Sequence, residues 1–169
     1  QAGAFRFALS IFPQQEPELV ARLESEGLLE REGGVYRVPE RPADKRKACL
    51  ARLMDLTDEH EAAREVFRRI GALLAIVFTE TELLLDTGLR QRYLFGRFVK
   101  NPRVFALLQE GARRRSSELE LMIADSEMAY TPLMRELALS ETYTVAQFGQ
   151  AVGAVYFGNL GLIRPELAR

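Results

Sequence analysis

The one histidine of the chain, His60, stands among Asp58, Glu59 and Glu61, and an imidazole beside carboxylates is the raw material of a general base or a metal site. It has no sequence-adjacent nucleophile, and it falls in the first turn of an expected helix, so a structural or exposed role is the simpler reading. Cys49 is the only thiol. One thiol can form neither an intramolecular disulfide nor the usual multi-cysteine zinc site, and it suits a reducing, cytoplasmic compartment. Glu118 and Glu120 are two apart and diverge on a helix, and no Glu-x-x-His pair, glycine-rich phosphate loop or dinucleotide fingerprint is written in the chain. The expectation is a protein without catalytic residues, metal or cofactor.

Basic residues are the next candidates, because phosphate recognition needs clustered cations. Across 169 residues, 23 Lys and Arg are balanced by 24 Asp and Glu, a formal charge of -1, so any attraction to a polyanion must be local. The strongest local cluster is Lys45, Arg46 and Lys47, followed by Arg52. Arg113, Arg114 and Arg115 span most of a helical turn and point apart, with Glu110, Glu118 and Glu120 nearby to pair with them. The longest apolar run, 72–78, is too short to cross a bilayer, which needs about 20 residues, and residues 1–10 lack the basic and apolar regions of a signal peptide. No membrane association is expected.

The elements that must position these residues are mostly helical. Pro17 fits a first helical turn, Leu19, Val20 and Leu23 follow at helical spacing, and Gly27 offers a left-handed cap. Leu28 and Leu29 then lead through Glu30 to Glu32 into Gly33-Gly34 and out along Val35 to Val38, the pattern of a β-hairpin. Residues 40–47, polar and containing Pro42, read as a connector, and residues 48–56 as a short helix. Thr57 or Asp58 caps a long helix to about Asp86, with Phe67, Ile70, Leu74, Val77, Thr81 and Leu84 as its stripe and Gly88 as its end. An aromatic segment over 93–99 precedes the Asn101-Pro102 helix start, and that helix runs on to apolar positions at Leu119, Met122 and Ile123. Thr131-Pro132 starts a short helix, and Thr144 with Gln147 opens the last one, carrying Phe148, Val152, Val155, Tyr156 and Leu160.

The stretch from Leu19 to Val38, a helix closed by Gly27, the pair Leu28-Leu29 and a Gly-Gly hairpin, resembles the end of a winged-helix domain. That resemblance implies a recognition helix and a wing, with Arg31 or Arg37 touching phosphate. The helix itself carries Glu16, Glu18, Glu24 and Glu26 against Arg22, a field that repels DNA and suits the protein-binding use of winged helices. From Glu61 to Ile163 the chain is similar to the helical regulatory domain of TetR-type repressors, on its long apolar helix, the Asn101-Pro102 break and the aromatic closing helix. That likeness implies dimerisation through the last helices and a small-molecule pocket.

The sequence therefore predicts a mainly α fold, a helical bundle with a small N-terminal helix-plus-hairpin element: 1–40 the winged-helix-like element, 41–56 a connector and short helix, 57–169 the bundle. The expected function is a non-enzymatic regulator of transcription-factor type, its winged element contacting DNA or protein and its body dimerising or sensing a ligand. The alternative is a protein-binding adaptor that never touches DNA. Candidate DNA contacts are Arg31, Arg37, Lys45, Arg46 and Lys47. Phe67, Phe78, Glu80, Tyr93, Phe98 and Tyr156 are the candidate lining of a ligand pocket. Gly149 and Gly153, four apart on the last helix, are the candidate close contact of a homodimer.

Overall fold

The computed structural model describes residues 3–39, 43–86, 88, 90–96 and 99–123, which form six helices and two two-stranded sheets. The expected helices after Thr131 and Thr144 lie outside the described residues. The chain divides into one compact unit of Gln1–Arg92 with Lys100–Leu121 and a second of Tyr93–Val99 with Met122–Arg169.

The first unit opens with two short helices that the sequence pattern did not announce, α1 (Gly3–Ala8) and α2 (Phe12–Gln15). What holds such short helices is burial rather than propensity. Phe5, Ala8, Ile11 and Phe12 are all buried, and the Phe5 and Phe12 rings meet edge to face with centroids 6.5 Å apart. Helix α3 (Pro17–Ser25) starts at Pro17 as expected and buries Leu19, Val20 and Leu23. It ends where Gly27 turns left-handed at φ +67°, with Leu28 N–H donating to the Leu23 carbonyl at 3.0 Å.

Strands β1 (Glu30–Glu32) and β2 (Val35–Arg37) pair antiparallel, Arg31 opposite Tyr36, around Gly33 and Gly34 at φ +58° and +83°. Two consecutive positive φ values are what a two-residue hairpin of this twist demands, and glycine supplies them at no steric cost. Leu29 before the hairpin and Val38 after it are buried and tie it to the unit.

Helix α4 (Ala43–Asp55) begins earlier than expected, so residues 43–47 of the anticipated connector are helical. Asp44 in the first turn is favourable there, and the polar stretch that suggested a linker includes the exposed helical residues Asp44 and Lys47. Helix α5 (Glu61–Leu85) begins later than Thr57 or Asp58, because Thr57 is used to end α4, its Oγ1 donating to the Met54 carbonyl at 2.6 Å. The cap of α5 comes from far away in sequence: the Glu16 carboxylate accepts from Ala62 N–H at 3.2 Å and meets His60 Nδ1. The helix stops at Asp86, left-handed at φ +47°, whose N–H reaches the Glu82 carbonyl at 2.8 Å.

Helix α6 (Pro102–Arg115) has the expected start, Asn101 Oδ1 accepting from Arg103 and Val104 N–H at 3.1 Å each. It ends at Arg115 rather than running on toward Ile123, with its arginines at the negative end of the helix dipole. Residues 120–123 form strand β4 (Glu120–Ile123), paired with β3 (Gln91–Leu94). The alternation Leu119 in, Glu120 out, Leu121 in is a strand period that a helical reading of the same leucines obscured.

The largest interface of the unit is that of α5 with α6. Two glycines set its closeness: a Cβ on Gly111 would stand 2.6 Å from the Arg68 carbonyl carbon, and one on Gly71 would stand 2.9 Å from that of Leu108. Backbone meets backbone at both points. Val66, Phe67, Ala75, Val104, Leu108 and Ala112 are buried around them, and Arg68 Nε donates to Glu110 Oε2 across the crossing at 2.9 Å.

Candidate functional site

One exposed polar surface is that of α3 and the hairpin. Glu18 and Glu24 on α3 are exposed, as are Glu30 and Glu32 on β1. Two arginines converge on a further acid, Glu26. Arg22 Nε lies 3.1 Å from Glu26 Oε1, and Arg52 of α4 reaches the same carboxylate twice, Nε to Oε2 at 3.0 Å and Nη2 to Oε1 at 2.9 Å. The Arg52 hydrogen bond, opposed by partial burial and helped by Arg22, holds the Glu26 carboxyl below its usual value of 4.5.

Of the candidate DNA contacts, Arg37 pairs with Glu32 at 2.5 Å across the hairpin, and Arg31 lies over the Tyr36 ring, its Cζ 5.6 Å from the centroid. Lys45 Nζ donates to the Gly27 carbonyl at 3.3 Å and so helps hold the α3 cap. Arg46 stands on α4 with Lys47, which is exposed. The structure thus places the five cations on two separate features, the hairpin and α4, with Arg37 and Lys45 already bound. A groove of about 850 Å³ runs beside the hairpin, lined by Arg6, Leu9, Glu30, Glu32, Tyr36, Arg37 and Val38. It offers both charges and one aromatic face.

The candidate pocket residues that are described take separate places. Phe67 is fully buried in the α5–α6 core, Glu80 points into solvent, and Tyr93 is partly exposed on β3. Phe98 and Tyr156 lie outside the described residues, as do Gly149 and Gly153. Phe78 does line a cavity, of about 310 Å³, with Glu82, Arg90, Arg92, Glu118 and Leu119 among its walls. Its charges are largely paired: Arg92 Nη2 lies 2.7 Å from Glu82 Oε2 with its guanidinium 5.9 Å over the Phe78 ring, and Arg90 lies 3.6 Å from Glu118. Glu82, not Glu80, is the carboxylate turned inward, where Arg92 of β3 and the Gly88 N–H reach it.

The sequence did not announce the pairing of His60 with Glu16 or of Glu26 with Arg52, and both are long-range. Cys49 is buried in the core, where burial pushes its thiol up and its Sγ donates toward the Leu28 carbonyl at 3.5 Å. Among the described residues no three His, Cys, Asp or Glu side chains gather as a metal-ligand set, and no helix is long and apolar enough to cross a membrane. Comparison with protein-family models, curated proteins and solved structures finds no match to the chain.

Proposed function

We propose that the chain is a non-enzymatic regulatory protein whose N-terminal helix-and-hairpin element binds another protein, with the helical body as its dimerising support. The observation that carries this reading is the charge of the element's exposed surface. Glu18, Glu24 and Glu30 face solvent, while Arg22 is paired to Glu26 and Arg37 to Glu32. Such a face is repelled by a duplex carrying one negative charge about every 1.7 Å and is attracted to a basic protein segment. The order of three short helices followed by a two-stranded hairpin also supports the winged-helix resemblance, a fold used for protein as well as DNA contacts. A cytoplasmic setting suits the buried, unpaired Cys49.

The second reading, a transcription factor that contacts DNA, draws on exposed Lys47 and on Arg31 at the hairpin. Titration with random-sequence duplex DNA at low salt separates the two. No saturable binding is expected, whereas a lysine-rich peptide should bind and lose affinity when Glu18 and Glu24 are changed to Gln. Saturable, salt-steep DNA binding that weakens in Arg31→Ala and Lys47→Ala variants would overturn the protein-binding reading.

A further inference from the structure

Helix α5 has two sides of different character. One is closed by α6 about Gly71. On the other, Ala62 and Val66 near the N-terminus are buried where α1 and α2 meet α5, but from Arg69 onward no described helix covers that side. Leu73 is 51% exposed, Ile76 38% and Leu83 74%. Together with Arg69, whose Nε also donates to Glu65 Oε1 at 3.0 Å, and Glu80, both exposed, these residues are spaced four, three, four and three apart. This is the seam spacing of a helix that pairs with another helix, not of a solvated face. Six exposed aliphatic side chains on one helix, counting Val77, Leu84 and Leu85, exceed the scatter of single apolar residues on ordinary surfaces.

The charges bracketing the strip say what covers it. In an antiparallel pair of identical helices, the seam positions of one pack against those of the other in reversed order. Setting Leu73 opposite Ile76 of the partner subunit then sets Arg69 opposite Glu80 of the partner subunit. Twofold symmetry repeats both contacts, so each end of the apolar centre closes with an ion pair of opposite charge. A parallel arrangement sets Arg69 against Arg69 and Glu80 against Glu80. In this register the contact runs from Arg69 to Glu80, roughly 17 Å at 1.5 Å per residue, about three turns. We infer that α5 is the self-association helix of this protein, pairing antiparallel with α5 of a second copy through Leu73 and Ile76, with Arg69 and Glu80 setting the register. This inference does not depend on what the α3–hairpin surface binds.

The test is the mass of the full chain in solution over a dilution series, by sedimentation equilibrium, for the parent and three variants. A dimer is expected. Arg69→Glu and Glu80→Arg should each raise the dissociation constant by about tenfold or more, since each places two like-charged pairs in the interface. The double variant, Arg69→Glu with Glu80→Arg, should return to within roughly threefold of the parent. Circular dichroism of each variant verifies the fold. A monomer at the highest concentration overturns the inference and means that the strip is covered within one chain. A dimer that ignores the single reversals, or a double variant as weak as the single ones, overturns it too.

Discussion

Replacing Gly111 by Ala sets two effects of opposite sign against each other, and the α5–α6 crossing decides between them. In an exposed helix the change stabilises by about 1 kcal/mol, because alanine loses less backbone freedom on folding. Here the new methyl would stand 2.6 Å from the Arg68 carbonyl carbon and 2.8 Å from its Cα, with the carbonyl oxygen nearer still. Contact distances between carbon atoms begin at about 3.5 Å, so the helices must part by roughly 1 Å, and backbone atoms have no rotamer through which to yield. A gap of that size forfeits a quarter to a half of the dispersion energy of the contacts it opens, and the contacts around it are those of Phe67, Val104 and Leu108. Overpacking of this kind costs about 3 kcal/mol, at the upper end of the usual range, leaving a net loss of about 2 kcal/mol. For a chain of this length that is a fall in melting temperature of roughly 4–8 °C. Thermal unfolding followed by circular dichroism measures it. Gly71→Ala, which meets Leu108 in the same crossing, should behave alike, and the double variant should lose less than the sum because one separation relieves both clashes. A melting temperature equal to or above that of the parent in either single variant would refute the close crossing.

Acid should weaken the ion pairs that link elements. Glu26 and Glu110 are held below the usual 4.5, by hydrogen bonds from Arg52 and Arg68 respectively, so the stability they contribute is present above that pH and is lost as pH falls below it through their lowered values. The denaturant midpoint should therefore drop below pH 4.5, and less steeply in a Glu26→Gln variant than in the parent. Asn101→Ala removes the acceptor for two N–H groups and should cost about 1 kcal/mol in urea unfolding, with Asn101→Asp retaining most of it. Glu16→Ala should cost a similar amount, about 1 kcal/mol, although no local motif marks Glu16 as a cap, because it holds Ala62 N–H and His60. No change in unfolding midpoint for Glu16→Ala would show that the α5 start is held by packing alone.

The local features of this protein were written in its sequence because each depends on neighbours. Pro17 and Gly27 bound α3, Gly33-Gly34 make the hairpin, and Asn101-Pro102 start α6, since a cap or a tight turn is decided within four or five residues. The apolar run of α5 likewise announced a long helix. Tertiary structure decided the rest. Arg52 is an ordinary helix-surface residue until the packing of α4 brings it to Glu26, and Glu82 becomes an inward carboxylate where Arg92 and the Gly88 N–H reach it. Residues 119–123 carry leucines that suit either period, and pairing with β3 selects the strand. The glycines that matter in the described core, Gly71 and Gly111, have no signature of their own, because a glycine in a helix reads as a mild defect until another backbone lies against it. Charges and small residues take their roles from what the fold sets opposite them, and distance along the chain does not measure that.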